Sequence, residues 1–369
     1  MAEQVGAKPS SLKSEVAYLF AQPTAEQKRA STEAVLGMRL GVKKAKKFTV
    51  SEAGKAWIAL IPSLIFLLIF MIYPIINTFL MSFIVNFRFM GGSGGSFAIT
   101  NYFAALANTR NRSNLPYWGF GNYSAVLSDT EFLNSLKNTA IIVIVSVPLT
   151  IIIGLLIAVF LNSIKPLKGF FQTVFFLPYV TNTIALGMVF KIIFSDNTGA
   201  MFNTFIGWFG VPAQHWLSVY ADSWHMLAVI IIYAVWNGLA FKILVFESGL
   251  ASIDNQYYDA AKIDGASRRT IFRRITVPLL SPQILYITIT SFIGAFKSYT
   301  QIISLFGGGA YDFGGSTQKE WETVVGYIYL VMQDNTKQGR AAAASLVLLV
   351  IILIITVIQM AVSKKKVVY

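Results

Sequence analysis

Residues 257–280 read YYDAAKIDGASRRTIFRRITVPLL. Asp259, Lys262, Asp264, Arg268, Arg269, Arg273 and Arg274 fall within this stretch, and long apolar runs lie on both sides of it. The rest of the chain follows the same alternation. Of 369 residues, 55% are hydrophobic, 14% are aromatic and only 13% are charged. A soluble domain carries about twice that charged fraction. Crossing a bilayer core takes about 20 apolar helical residues. Six runs meet that requirement, at 57–84, 135–162, 170–194, 224–246, 280–306 and 341–362, and none contains Asp or Glu. The reading is all-α, a polytopic membrane protein with six transmembrane helices. Six buried helices of a soluble protein would leave too little polar surface to cover them.

The net charge of +13 is explained by topology. Of the 30 Lys and Arg residues, 20 lie before the first run, after the last, or in the even-numbered connections that share their side. Lys43, Lys44, Lys46 and Lys47 crowd the start, and Lys364, Lys365 and Lys366 the end. The opposite connections hold few, and 195–223 holds none. This positive-inside asymmetry predicts that both termini are cytoplasmic. It also removes nucleic acid as the expected partner and leaves anionic lipid in its place. There is no cysteine, and the only histidines are His215 and His225. Disulfides, thiolate metal sites and cysteine nucleophiles are therefore excluded. Both histidines border interfacial segments, where packing is expected, and no metal site is predicted.

Three segments organise the chain: a basic tail at 1–54, a membrane domain at 55–363 and a short basic tail at 364–369. Within the first tail, TAEQKRASTEAVLGMRLGVKKAKK at 24–47 reads either as a helix on the membrane surface or as a flexible tail. Pro62, Pro74 and Pro178 mark expected kinks in the first and third runs. GFGNYSAVLSDTEFLNSLKNT at 119–139 reads as a small amphipathic element leading into the second. The charged insert at 252–280 reads as helix, glycine turn, helix. Asp254 is placed to cap the first helix, Gly265 to end it in a left-handed residue and Ser267 to cap the second. Lys191 and Lys242 are expected to snorkel to interfaces.

The insert also resembles a known motif. Asp259-Ala260-Ala261, three residues, Gly265, nine residues, Ile275, one residue, Val277-Pro278 looks like the Glu-Ala-Ala loop of ABC-importer permeases. Two positions depart from that pattern, Asp259 for Glu and Val277 for Leu. FFLPYV, NTGAMFN, VWNGLAFKILVFESGLASI and LFGGGA recur in the order seen in the carbohydrate-uptake, MalF-like group, although GGGA at 307–310 replaces a usual Gly-Gly-Pro. The resemblance covers roughly 55–362. It implies a type I ABC-importer permease fold and a coupling role toward an ATPase for Asp259, Ala260, Ala261, Gly265, Ala266, Arg268 and Arg269. It further implies a second, MalG-like six-span permease, two cytoplasmic ABC ATPase subunits and an extracytoplasmic solute-binding protein.

This chain has no G-x-x-x-x-G-K-[S/T] phosphate loop. ATP and Mg are therefore expected on the partner ATPase, with no cofactor and no catalytic residue here. Sugars present hydroxyls on an apolar ring, so polar groups among aromatic faces are the expected site. Asn237 and Phe241 in the fourth run, and Ser291, Lys297 and Tyr299 in the fifth, are the candidates. Import of a non-carbohydrate solute, or a secondary carrier, are the alternatives, and the lack of carboxylates in the runs disfavours the carrier.

Overall fold

A computed structural model of the chain describes residues 25–39, 51–87, 116–164, 168–218, 220–306 and 321–363. GGGA at 307–310, the 364–369 tail and most of the 1–54 tail lie outside the described residues. Extended structure among the described residues is confined to Ile84–Val85 and Tyr117–Trp118, paired antiparallel. The helices are α1 Ala25–Arg39, α2 Glu52–Leu67, α3 Tyr73–Ser82, α4 Gly121–Leu127, α5 Thr130–Ser163, α6 Lys168–Val180, α7 Thr183–Ile193 and α8 Met201–Gly207. They continue as α9 Ser223–Ala251, α10 Asn255–Ile263, α11 Arg268–Ile271, α12 Val277–Leu279, α13 Ser281–Phe296, α14 Thr300–Phe306, α15 Val324–Gln333 and α16 Gln338–Ser363.

Four helical runs are long and apolar enough to cross a membrane: Gly54–Ser82, Thr130–Ser163, Ser223–Ala251 and Gln338–Ser363. Two bent pairs bring the number to six if each is one span. The chain divides into two compact units, Met1–Phe70 and Met71–Tyr369. In the first, Ser51 Oγ caps α2 by accepting from the Gly54 amide at 3.1 Å, and α2 displays Trp57, Ile58 and Phe66 outward. The sequence 24–47 does hold a helix, α1.

In the second unit, α5 is the axis. Its 34 residues extend about 51 Å and border three apolar clusters. One cluster gathers Ile142, Phe190, Tyr233 and Leu305. A second joins Val143 and Phe132 to Tyr327 and Ala344. The third packs Ala158 and Leu161 against Phe246 and Ile287. Small residues let the helices approach closely, as in membrane packing generally. A Cβ at Gly154 of α5 would stand 3.0 Å from Cβ of Lys242 on α9.

Three features depart from the sequence reading. The third run is not one kinked span: α6 and α7 meet at 101°, and the break falls at Thr181–Asn182, beyond Pro178. Asn182 Oδ1 accepts from the Ile184 and Ala185 amides at 2.8 and 3.3 Å, which starts a new helix where the old one stops. The fifth run is also interrupted, with α13 ending at Phe296 and α14 starting at Thr300. Thirdly, α15 is too short to span, and the sequence reading left it in a connection. Three polar ties hold it. The Val324 amide donates to Thr139 Oγ1 at 3.0 Å, Thr323 Oγ1 donates to the Ser298 carbonyl at 2.9 Å, and the Tyr327 hydroxyl donates to Asp129 Oδ2 at 2.7 Å.

At Gly187 of α7 an added Cβ would collide with the Ser304 side chain of α14. Gly187→Ala should therefore lower the midpoint of thermal unfolding in detergent, at a cost of about 1–3 kcal/mol. Gly169→Ala, where nothing lies within contact range, should stay within about 0.5 kcal/mol of the parent.

Candidate functional site

A cavity of about 440 Å³ opens between α5, α9 and α13. Asn237 and Phe241 reach it from α9 and Ser291 from α13, so three of the five predicted pathway residues are brought together. The other two are not. Tyr299 lies in the break after α13 with its ring 5.0 Å from Tyr329, and Lys297 caps the end of α13 and is exposed. Both lie where the unforeseen break ends α13, with Lys297 as its C-cap and Tyr299 beyond it.

The break supplies other groups. Gln301, at the start of α14, lines the cavity and donates through Nε2 to Asn237 Oδ1 at 3.5 Å. Tyr179, at the end of α6, brings its ring within 6.2 Å of Phe241, stacked at 20°. The cavity thus places amide and hydroxyl groups beside two aromatic faces. Tyr179 was missed because its side depends on how α6 packs against α9, which the sequence of the third run does not display.

Lys242 also lines the cavity, which corrects the expectation that it snorkels. Its Nζ folds back along α9, so that a Cβ at Gly238 would stand 3.0 Å from it. Lysine side chains on a helix lean toward the N-terminal turn, and Gly238 leaves that place open. A lysine near the middle of a spanning helix costs about 2.5–3.5 kcal/mol on insertion scales. Lys191, by contrast, donates to the Phe306 carbonyl at 3.4 Å.

The insert begins where α9 ends. A Cβ at Gly249 would come 2.8 Å from Leu280 Cδ2, so the two ends of the insert are pressed together. Asp254 Oδ1 accepts from the Gln256 amide at 2.9 Å and caps α10. At its other end the Gly265 amide bonds the Lys262 carbonyl and the Ala266 amide the Ala261 carbonyl, with Gly265 at φ +71°. This is the left-handed glycine stop expected from sequence. Ser267 Oγ accepts from the Thr270 amide at 3.3 Å and caps α11. Ala261 is buried, while Asp259, Ala260, Gly265, Arg268 and Arg269 are exposed and Ala266 is half-buried. Asp259 pairs with Lys262 at 2.9 Å on the surface.

Beneath the insert is a carboxylate that the sequence reading placed outside the runs. Glu247 belongs to α9, and its side chain is only 9% exposed. Its Oε2 accepts from Gln172 Nε2 at 2.8 Å, and Oε1 lies 3.4 Å from Lys168 Nζ. The pair ties α9 to α6. At the opposite end, His215 Nδ1 meets Asp196 Oδ2 at 3.0 Å, and the His225 ring packs on Trp216 at 4.8 Å. Burial acts to raise the Asp196 carboxyl, but hydrogen bonds from Ser218, His215 and the Trp216 amide outweigh it and hold the group below the usual carboxylate range. No three metal-ligating side chains gather among the described residues.

Comparison with known proteins decides the family. Residues 150–368 match the model of the binding-protein-dependent transport system inner membrane component. The chain belongs to that family. Its members are membrane components of transport systems, not enzymes, and with its apolar helices this inner-membrane component is a multi-pass membrane protein. It is 32% identical over 218 residues to the arabinooligosaccharides transport system permease protein AraP of Halalkalibacterium halodurans, covering 59% of this chain and 66% of the relative. It is 31% identical to the lactose transport system permease protein LacF of Rhizobium radiobacter, covering 67% and 74%. It is 30% identical to the trehalose/maltose transport system permease protein MalF of Thermococcus litoralis, covering 73% and 82%. The chain spans just under two thirds of the length of the first of these relatives. A chain of the crystal structure of a bacterial ABC transporter involved in import of the acidic polysaccharide alginate shares the fold. The TM-score is 0.67 at 20% identity, over 84% of this chain and 95% of the other.

Glu247→Ala should destabilise the protein by about 1–3 kcal/mol, because Gln172 and Lys168 lose their acceptor. The Lys168→Met/Glu247→Leu pair should recover part of that loss. Thermal unfolding in detergent checks both, and strictly additive losses would show that the two do not act as a pair.

Proposed function

We propose that the chain is the permease half of an ATP-driven importer for a carbohydrate, of the oligosaccharide class, delivered by an extracytoplasmic binding protein. The observation that carries this reading is the cavity, where Asn237, Gln301 and Ser291 stand beside the rings of Tyr179 and Phe241. Hydroxyls of a sugar find hydrogen-bond partners there, and its ring carbons find apolar faces. The names of AraP, LacF and MalF support a saccharide cargo. A second six-span permease would complete the pathway. Two cytoplasmic ATPase subunits would hold ATP and Mg. Both termini would be cytoplasmic by the distribution of Lys and Arg.

The insert is the part suited to receive force from an ATPase. Its helices are capped at Asp254 and Ser267, and its two ends meet at Gly249 and Leu280. On its surface Ile263 is 87% exposed, beside exposed Tyr257 and Ala260. An isoleucine presented this way fits burial against a partner. Asp259, Arg268 and Arg269 are exposed on the same insert and able to make charge-assisted bonds. Closure of the ATPases would move this insert. The breaks at Thr181–Asn182 and Lys297–Tyr299 are places where the span segments could rock around the cavity.

Purification from the host in mild detergent should recover a phosphate-loop ATPase and a second six-span permease with the chain. Reconstituted with the binding protein, the complex should take up saccharide on ATP hydrolysis. Gly265→Val forces a branched side chain to φ +71°, a strain of about 1–2 kcal/mol. It should cut ATP-driven uptake roughly tenfold. A chain that purifies alone, with its fold intact, would overturn the reading. Asn237→Leu and Ser291→Leu should each lower uptake while the ATPase still co-purifies. Normal uptake by both would remove these residues from the pathway.

A further inference from the structure

Among the described residues, Lys242 is the sole charged side chain lining the cavity, and its ammonium makes no hydrogen bond or ion pair. Two glycines make room for it: Gly154 lets α5 approach its stem, and Gly238 leaves open the place where Nζ lies. Lys242 stands nine residues before the end of α9, about 14 Å, and its ammonium is turned away from that end. A four-carbon stem directed this way does not bring the charge to the nearer membrane surface. Glu247, the carboxylate closest to it along α9, is already engaged by Lys168 and Gln172. What the cavity offers around the ammonium is neutral: the Thr150 and Ser291 hydroxyls and the Asn237 and Gln301 amides.

A cation in this setting discriminates by charge. Neutral cargo would desolvate the ammonium and offer it hydroxyl acceptors but no counter-charge, which is the costly outcome. Cationic cargo would be repelled. An anionic group supplies the missing partner by a charge-assisted bond. We propose that Lys242 anchors an anionic substituent on the cargo, either the ring carboxylate of a uronic-acid unit or a phosphate ester on a sugar. Asn237 and Gln301 then receive its hydroxyls. The inference deepens the import reading above and rests on it.

The test uses the complex as it co-purifies from the host, reconstituted in liposomes with internal ATP and its own binding protein. The liposomes are offered a mixed hydrolysate of pectin and phosphate-bearing starch, which contains neutral, uronate and phosphorylated oligosaccharides. Mass spectrometry of the interior reads what accumulates. The expected result is selective accumulation of acidic oligosaccharides. Lys242→Gln should reduce it about tenfold or more, Lys242→Arg should largely retain it, and Lys337→Gln should leave the acidic-to-neutral ratio unchanged. Whether uronates or phosphate esters accumulate identifies the source of the charge. Co-purification of the partners with Lys242→Gln establishes that the variant assembles, and Lys242→Arg keeps the comparison open if it does not. Neutral oligosaccharides accumulating equally in the parent and in Lys242→Gln would overturn the proposal. So would a zero-length carbodiimide cross-link between Lys242 and a carboxylate of the second permease. If nothing accumulates although the binding protein stimulates ATP hydrolysis, the anionic inference fails alone. If ATP hydrolysis is absent as well, the import reading fails with it.

Discussion

A lipid interior offers no water to an unpaired N–H or C=O, so a break in an apolar helix has to be satisfied from within the protein. This chain breaks its apolar runs at Thr181–Asn182 and again at Lys297–Tyr299. Asn182 takes up the two free amides at the start of α7. The buried Tyr233 on α9 donates to the Thr183 carbonyl at 2.7 Å. At the second break, Thr323, the N-cap of α15, donates to the Ser298 carbonyl, so the start of α15 is held at the break. The short helix that looked like part of a connection is thus part of the cost of interrupting a span. Both breaks border the cavity, through Tyr179 on one side and Ser298 and Gln301 on the other. Irregular backbone occurs here where it lines a cavity, as the constraint demands.

The sequence displays whatever depends on local chemistry. Apolar length gave the spans, and the caps of the insert could be read from Asp254, Gly265 and Ser267, because each acts on its own neighbours in the chain. What could not be read depends on angles between segments. Pro178 announced a kink, but nothing in the third run announced a bend of 101° three residues later. Tyr179 faces Phe241 because α6 packs on α9 just before that bend. The ends of spans were also ambiguous: α9 continues through Glu247, whose partner Lys168 is far away in sequence. Asn237, Phe241 and Ser291 stood out in the sequence because polar or aromatic groups in apolar helices need a reason, and all three line the cavity. Lys297 and Tyr299 were misplaced because they sit in the second break, and Lys242 was misread because a lysine can serve an interface or a cavity. Gly238, one turn earlier on the same face, was the available signal.

The division of labour within α9 follows from its length. Its middle third presents Asn237, Phe241 and Lys242 to the cavity, and its last two turns carry Glu247 and Gly249. A rigid rod joins the two regions, so displacement at one end is delivered to the other without an intervening hinge along α9. The Lys168 and Gln172 contacts with Glu247 fasten α6 to the same rod, and α6 ends at Tyr179. Movement of the last turn of α9 is thereby shared with the helix that brings the second aromatic ring.

The insert holds its shape with its own hydrogen bonds. Gly265 has open space around it, and the caps at Asp254 and Ser267 reach no further than their neighbours in the chain. The cavity draws its lining from other stretches of α5, α6, α9, α13 and α14. The two surfaces can therefore diverge independently. Substitutions that retune the lining for a new solute leave the outline of the insert intact, so a lineage of such chains could diversify its diet without altering the surface that the insert presents.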